Sequence, residues 1–467
     1  MIARLHRQRH RGVPLDAPVS APVNTPGAHL RSSLTAWLRS APAGVFISVA
    51  GLAGFVTYFS MYAFRKPFTA ASFEHVKGWH HSLEFKIALV IAQVIGYACS
   101  KFIGIHVVSA MQARHRAPAI LGLIGLAWVA LVILAVVPPL AQIGAIFVNG
   151  LCLGMIWGLV FGYMEGRRTS EVLGAILCAS FIVSSGAVKS IGLLLMNRLH
   201  VSEQWMPAAT GLLFVPLLLL GVWTLSILPP PSAADEAARV RRAPMTGRDM
   251  QQFLRSYGLG VALLVITYVF ATAIRDFRDN FAPELWLALG YSNPTTVFTA
   301  AELPVAVVAL LALAVIVKVQ DNARALAVIH AVILGGVLLL AASTLLFAAG
   351  WLHPIAWMIA SGAGMYLVYT PFNAMLFDRM VAASGQVGTA GFLIYVADSA
   401  GYAGSCALLL WRNFALMHVR WLTVFDYAIY ATCLVGFVLT LASMLYFGVR
   451  TRAATPVASG ALPVVEP

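Results

Sequence analysis

Apolar residues dominate this chain in long uninterrupted runs, with polar residues confined to short intervals between them. Apolar stretches begin near Gly44, Ile87, Pro118, Ala141, Glu171 and Ala208, and a second set begins near Gly258, Thr296, Arg324, Pro354, Gln386 and Phe425. Each is roughly 20 residues long, the length a helix needs to cross a hydrocarbon core of about 30 Å. The pattern predicts an all-α membrane protein of about 12 transmembrane helices. The longest internal polar stretch, PPPSAADEAARVRRAPMTGRDMQQFLR, divides six spans from six. The expected organisation is a basic tail over 1–40, a six-helix half over 41–228, a linker over 229–256, a second half over 257–449 and a tail over 450–467.

Composition agrees. Of 467 residues, 60% are hydrophobic and 10% charged, with a mean hydropathy of +0.83, whereas soluble domains carry about 25% charged residues. The net charge of +13 is set by arginines between apolar runs, with no basic face interleaved with stacking aromatics, so nucleic acid is not an expected partner. Twenty of the 31 Lys and Arg residues fall on the side of the chain ends, five on the other side, and six in or at the edge of spans. That bias predicts both termini in the cytoplasm of a bacterial inner membrane. Residues 1–40 lack an apolar h-region and read as a tail, not a signal peptide. Cys99, Cys152, Cys178, Cys406 and Cys433 are scattered singly, without metal-ligand spacing. The chain shows no P-loop and no HExxH, so neither an enzyme nor a cofactor is expected. Gly150, Gly154, Gly158 and Gly162 repeat at four-residue spacing, a stripe that lets helices approach closely.

Charges inside the membrane carry the chemistry. A central charge costs roughly 2.5–3.5 kcal/mol on insertion scales, yet Arg65, Lys66, Lys101, Lys189, Arg275 and Arg278 lie in or beside spans. The intramembrane acids Asp276, Asp279, Glu302 and Asp398 are fewer, so a basic surplus awaits an anion. Tyr58, Tyr62 and Arg65 share a helix face by their spacing, and hydroxyls beside a guanidinium suit an oxyanion. Interfacial anchoring of Arg65, Lys66 and Tyr62 is the alternative. Tyr97 and Lys101 repeat the pattern at i, i+4. Arg275 and Asp279, also at i, i+4, could instead form an ion pair within their helix. Lys189 could pair with an acid. Glu302 and Asp398 could relay protons or balance neighbouring bases.

The segment YFSMYAFRKPFTAASF resembles the first span of the organophosphate:phosphate antiporter family of the major facilitator superfamily, which has a Tyr-Tyr-Arg pattern at this spacing followed by Lys and Phe. GYACSKFIGIHVVSAMQARHRAPAIL is similar to its second span, and ATAIRDFRDNFAP to its seventh. VYTPFNAML and GTAGFLIYVADSAGYAG match its tenth and eleventh more loosely. The resemblance implies two six-helix halves with a midplane site. It also implies that Arg65 and Arg275 are the substrate arginines, supported by Lys101, Tyr58, Tyr62 and Tyr97, with Tyr369 and Tyr402 from the second half. The chain departs from the family at Ser180, where a His is usual, and in VSAMQARHR, which lacks an acidic residue. GLVFGYMEGRRTSEVLGA looks like a bacterial family of antiporter-like membrane proteins. The expected function is transport of a small organic anion, phosphorylated metabolites included, by a monomer in the lipid bilayer. A transporter-like sensor of the same anion is the alternative, and an exporter of cations would need the reverse charge surplus.

Overall fold

Every apolar stretch is helical over most of its described residues. The computed structural model describes residues 26–453 apart from 75, 233–234, 236–246, 292–295, 385–390 and 417. The expected tails over 1–25 and 454–467, the middle of the linker and the beginning of the eleventh span therefore lie outside the described residues.

The first half comprises spans Ala43–Tyr62, Phe85–Gly104, Ala113–Val136, Pro139–Phe161 and Ser170–Leu199, then a sixth broken into Met206–Leu213 and Val215–Ser226. The break has a local cause: Pro216 has no N–H to donate to the preceding turn, and the two pieces meet at 46°. The second half comprises Phe253–Asn280, Val297–Val317, Asn322–Ala348, Pro354–Ala374, Leu393–Ala415 and Trp421–Arg450. Among the described residues there are eleven continuous spans and one broken one, with no strand. Side chains such as Leu311, Leu434 and Leu445 are more than 60% exposed on the rim, a face that water would penalise and lipid tails accept. The protein is a multi-pass membrane protein.

Two polar segments are more ordered than expected. Residues 26–40 form a helix, Pro26–Ser40. Its Arg31 Nη2 and Thr35 Oγ1 donate to the carbonyls of Ser226 (3.0 Å) and Ile227 (2.8 Å), which the end of the sixth span leaves unpaired. Residues 247–256, expected in the linker, are instead the first turns of the helix Gly247–Asn280.

The glycine stripe sits where the fourth span meets the second. A Cβ on Gly154 would lie 2.5 Å from the Tyr97 carbonyl oxygen and from Ser100 Cβ, and one on Gly158 3.1 Å from Val108 Cγ1. Close backbone approach therefore requires glycine there.

The halves are joined by one ion pair on the side of the chain ends, Arg379 with Glu171 at 2.9 Å, and by a larger group of pairs on the opposite side, called the far side below. Lys66 lies 2.5 Å and Lys189 2.6 Å from the carboxylate of Asp279, which Ser185 also meets. Lys86 pairs with Glu284 at 2.5 Å, and Arg412 pairs with Glu84. Lys86 and Arg412 are thus buried members of ion pairs between the halves. The i, i+4 pair of Arg275 with Asp279, considered as an alternative, does not form: the two lysines of the first half take Asp279.

Candidate functional site

Between the halves lies a cavity of about 290 Å³. It extends toward the chain-end side, where Glu165 and Asp378 line it. Tyr58, Tyr62, Arg65, Tyr97 and Lys101 line it from the first half, and Arg275, Tyr369, Asp398 and Tyr402 from the second.

Arg65 is positioned by the way its helix ends. Pro67 cannot continue an α-helix, so the first span stops at Tyr62 and the chain tightens, with the Arg65 N–H donating to the Tyr62 carbonyl at 3.0 Å. This leaves carbonyls without helical partners deep in the bundle. Gln93 Nε2 donates to the Arg65 carbonyl (2.9 Å) and to Asn149 Oδ1 (2.8 Å), and Asn149 Nδ2 donates to the carbonyls of Phe64 (2.9 Å) and Ala127 (3.0 Å). Two buried amides therefore hold the turn that presents Arg65.

The Arg65 guanidinium lies over the Tyr97 ring, with Cζ 3.9 Å from the centroid. It is 7% exposed, its Nε has no hydrogen-bond partner, and no carboxylate pairs with it among the described residues. Arg275 mirrors the stacking from the second half, with Cζ 4.1 Å from the Tyr369 centroid. Its charge is met, however, by Asp276 at 2.5 Å, which Ser405 Oγ also reaches at 2.7 Å. Lys101 pairs across the cavity with Asp398, and Tyr268 OH donates to the same carboxylate at 2.6 Å. The Lys101 ammonium lies 5.5 Å from the ring centroids of both Tyr97 and Tyr402.

The other charged candidates are elsewhere. Lys189, Arg278, Asp279 and Glu302 surround a separate space of about 10 Å³ toward the far side. There Arg278 pairs with Glu302 at 2.6 Å and donates to the Met358 carbonyl at 3.2 Å. Glu302 thus balances a neighbouring base and does not line the central cavity. Of the two carboxylates considered for coupling, Asp398 lines it.

Several contributors escape sequence reasoning. Trp157 and Phe181 line the cavity but look like ordinary apolar span residues. Gln93 and Asn149 could have been noticed as uncharged polar groups at mid-span. Asp276 was named among the intramembrane acids but not assigned to Arg275, and nothing in the sequence links Tyr268 to Asp398.

The fold is similar to that in a crystal structure of a D-xylose-proton symporter, with a TM-score of 0.56 over 86% of this chain and 96% of that chain. Sequence identity is 14%, so the likeness concerns architecture, the two-half fold expected of a major facilitator. No curated protein matches in sequence, and the resemblance to organophosphate:phosphate antiporters rests on its motifs alone. The model of a family of unknown function, DUF5690, matches residues 67–450, and the chain belongs to that family.

Proposed function

We propose that the protein is a secondary transporter that moves a small organic anion by alternating access of its two halves around the central cavity. The observation that carries this reading is Arg65, a buried cation in the cavity with no carboxylate partner among the described residues. An uncompensated charge is costly away from water. An anion bound there offsets that cost most when the halves have closed around it, so binding favours the closed state. The cluster of buried far-side ion pairs, set against one partly exposed pair between the halves on the chain-end side (Arg379 with Glu171), and the extension of the cavity toward the chain-end side support an inward-facing arrangement, with the termini cytoplasmic as the distribution of Lys and Arg predicts. The pair of Lys101 and Asp398, one residue from each half, adds a group through which proton movement could be coupled to the cycle.

Counterflow in proteoliposomes tests the reading. Vesicles preloaded with a mixture of unlabelled carboxylates and phosphoesters should accumulate a labelled member of the mixture, and Arg65→Gln should abolish accumulation. No accumulation of any anion by the wild type, or equal accumulation by the variant, refutes it.

A further inference from the structure

We infer that the cavity selects a monoanionic carboxylate with a flat aromatic body, an inference that rests on the anion reading above and narrows it. Charge balance is the first argument. Asp276 answers Arg275 and Asp398 answers Lys101, so of the three cations that line the cavity, Arg65 alone has no carboxylate partner among the described residues. One negative charge completes the balance, and a dianion leaves a surplus in a site partly shut off from water. Phosphate sites commonly draw on helix N-termini or several free donors, whereas here one uncommitted guanidinium faces the cavity.

The walls supply the second argument. Tyr62 meets Tyr58 (5.6 Å between centroids), Tyr58 meets Trp157 (5.2 Å), Trp157 meets Phe181 (6.1 Å) and Phe181 meets Tyr369 (6.2 Å). This ribbon of five rings runs along the cavity from one half to the other. Such surfaces favour an aromatic guest through edge-to-face and offset contacts, while the carboxylate takes the guanidinium fork.

The test is thermal stabilisation of the purified full-length protein by four probes at pH 7.5: phenylacetate, hexanoate, phenyl phosphate and terephthalate. Phenylacetate should stabilise at a half-saturating concentration at least tenfold lower than each of the others. Trp157→Leu should narrow the gap between phenylacetate and hexanoate while leaving both able to bind. If phenyl phosphate or terephthalate binds as tightly as phenylacetate, the charge argument falls and the anion reading survives. If hexanoate binds as tightly, the aromatic argument falls. If none of the four and no other organic anion stabilises the wild type, both this inference and the transport reading fail.

Discussion

The Arg65 guanidinium rests face-on against the Tyr97 ring at 3.9 Å, and the hydroxyl of that ring lies 3.3 Å from Tyr58 OH. The ring orients the cation and the two hydroxyls steady the ring. A cation over an aromatic face contributes about 0.5–2 kcal/mol, depending on desolvation. Tyr97→Phe keeps the face and should weaken anion binding less than about threefold, whereas Tyr97→Ala should weaken it by roughly 2–30-fold. Isothermal titration of both variants checks the ratio. Equal losses would place the effect in the hydroxyl.

Arg65→Lys keeps the charge but loses the planar fork that matches a carboxylate. Binding should weaken by about 1–2 kcal/mol, or roughly 5–30-fold, with little change in the melting temperature of the unliganded protein. Wild-type affinity in this variant would show that a point charge is sufficient.

Asp398 controls how much positive charge the cavity offers. Asp398→Asn releases Lys101 and should shift selectivity toward dianions such as terephthalate. Removing one partner of a buried pair typically costs 3–5 kcal/mol, so the melting temperature should also fall. The double variant Lys101→Met, Asp398→Leu should recover much of that loss and return selectivity to monoanions. Unchanged selectivity in Asp398→Asn would show that the pair does not set ligand charge.

The turn carrying Arg65 depends on Asn149. Asn149→Leu preserves shape but leaves the carbonyls of Phe64 and Ala127 without their donors, at a cost of about 1–3 kcal/mol each. Both melting temperature and anion affinity should drop. A fall in stability alone would mean that Arg65 keeps its place without the amide.

Asp279 fastens the far side by receiving Lys66 and Lys189. In a variant without native cysteines, a cysteine at Ser190, which touches Thr299 between the halves, should react slowly with a membrane-impermeant maleimide. Adding Asp279→Asn should speed the reaction several-fold by loosening this closure. No acceleration would move the latch to the pairs Lys86–Glu284 and Glu84–Arg412.

Much of this was legible in the sequence because the bilayer imposes strong rules. Span length follows from its thickness, so the apolar runs begin close to the helices observed. The Gly154 stripe was readable because only small residues permit such backbone contact. Tyr58, Tyr62, Arg65, Tyr97, Lys101 and Arg275, which all line the cavity, stood out because buried polar groups are costly and rarely incidental, whereas Tyr369 and Tyr402 were named only through the family resemblance. The pairing of Lys101 and Arg275 with their counter-ions was not legible. Lys101 and Asp398 are 297 positions apart, and only the docking of one half on the other brings them together. The same limit hid the competition for Asp279, which local spacing offered to Arg275 and tertiary packing gave to two lysines.

The missing carboxylate beside Arg65 also has an electrical consequence. If the cavity takes a monoanion as proposed, binding cancels the charge of Arg65, and the empty cavity carries it. Rearrangement of the loaded form would then be nearly indifferent to membrane voltage. Return of the empty form would move charge through a field worth about 2.3 kcal/mol per elementary charge per 100 mV. An inside-negative potential would hold the empty carrier facing inward, making voltage, and not affinity, the brake on the cycle.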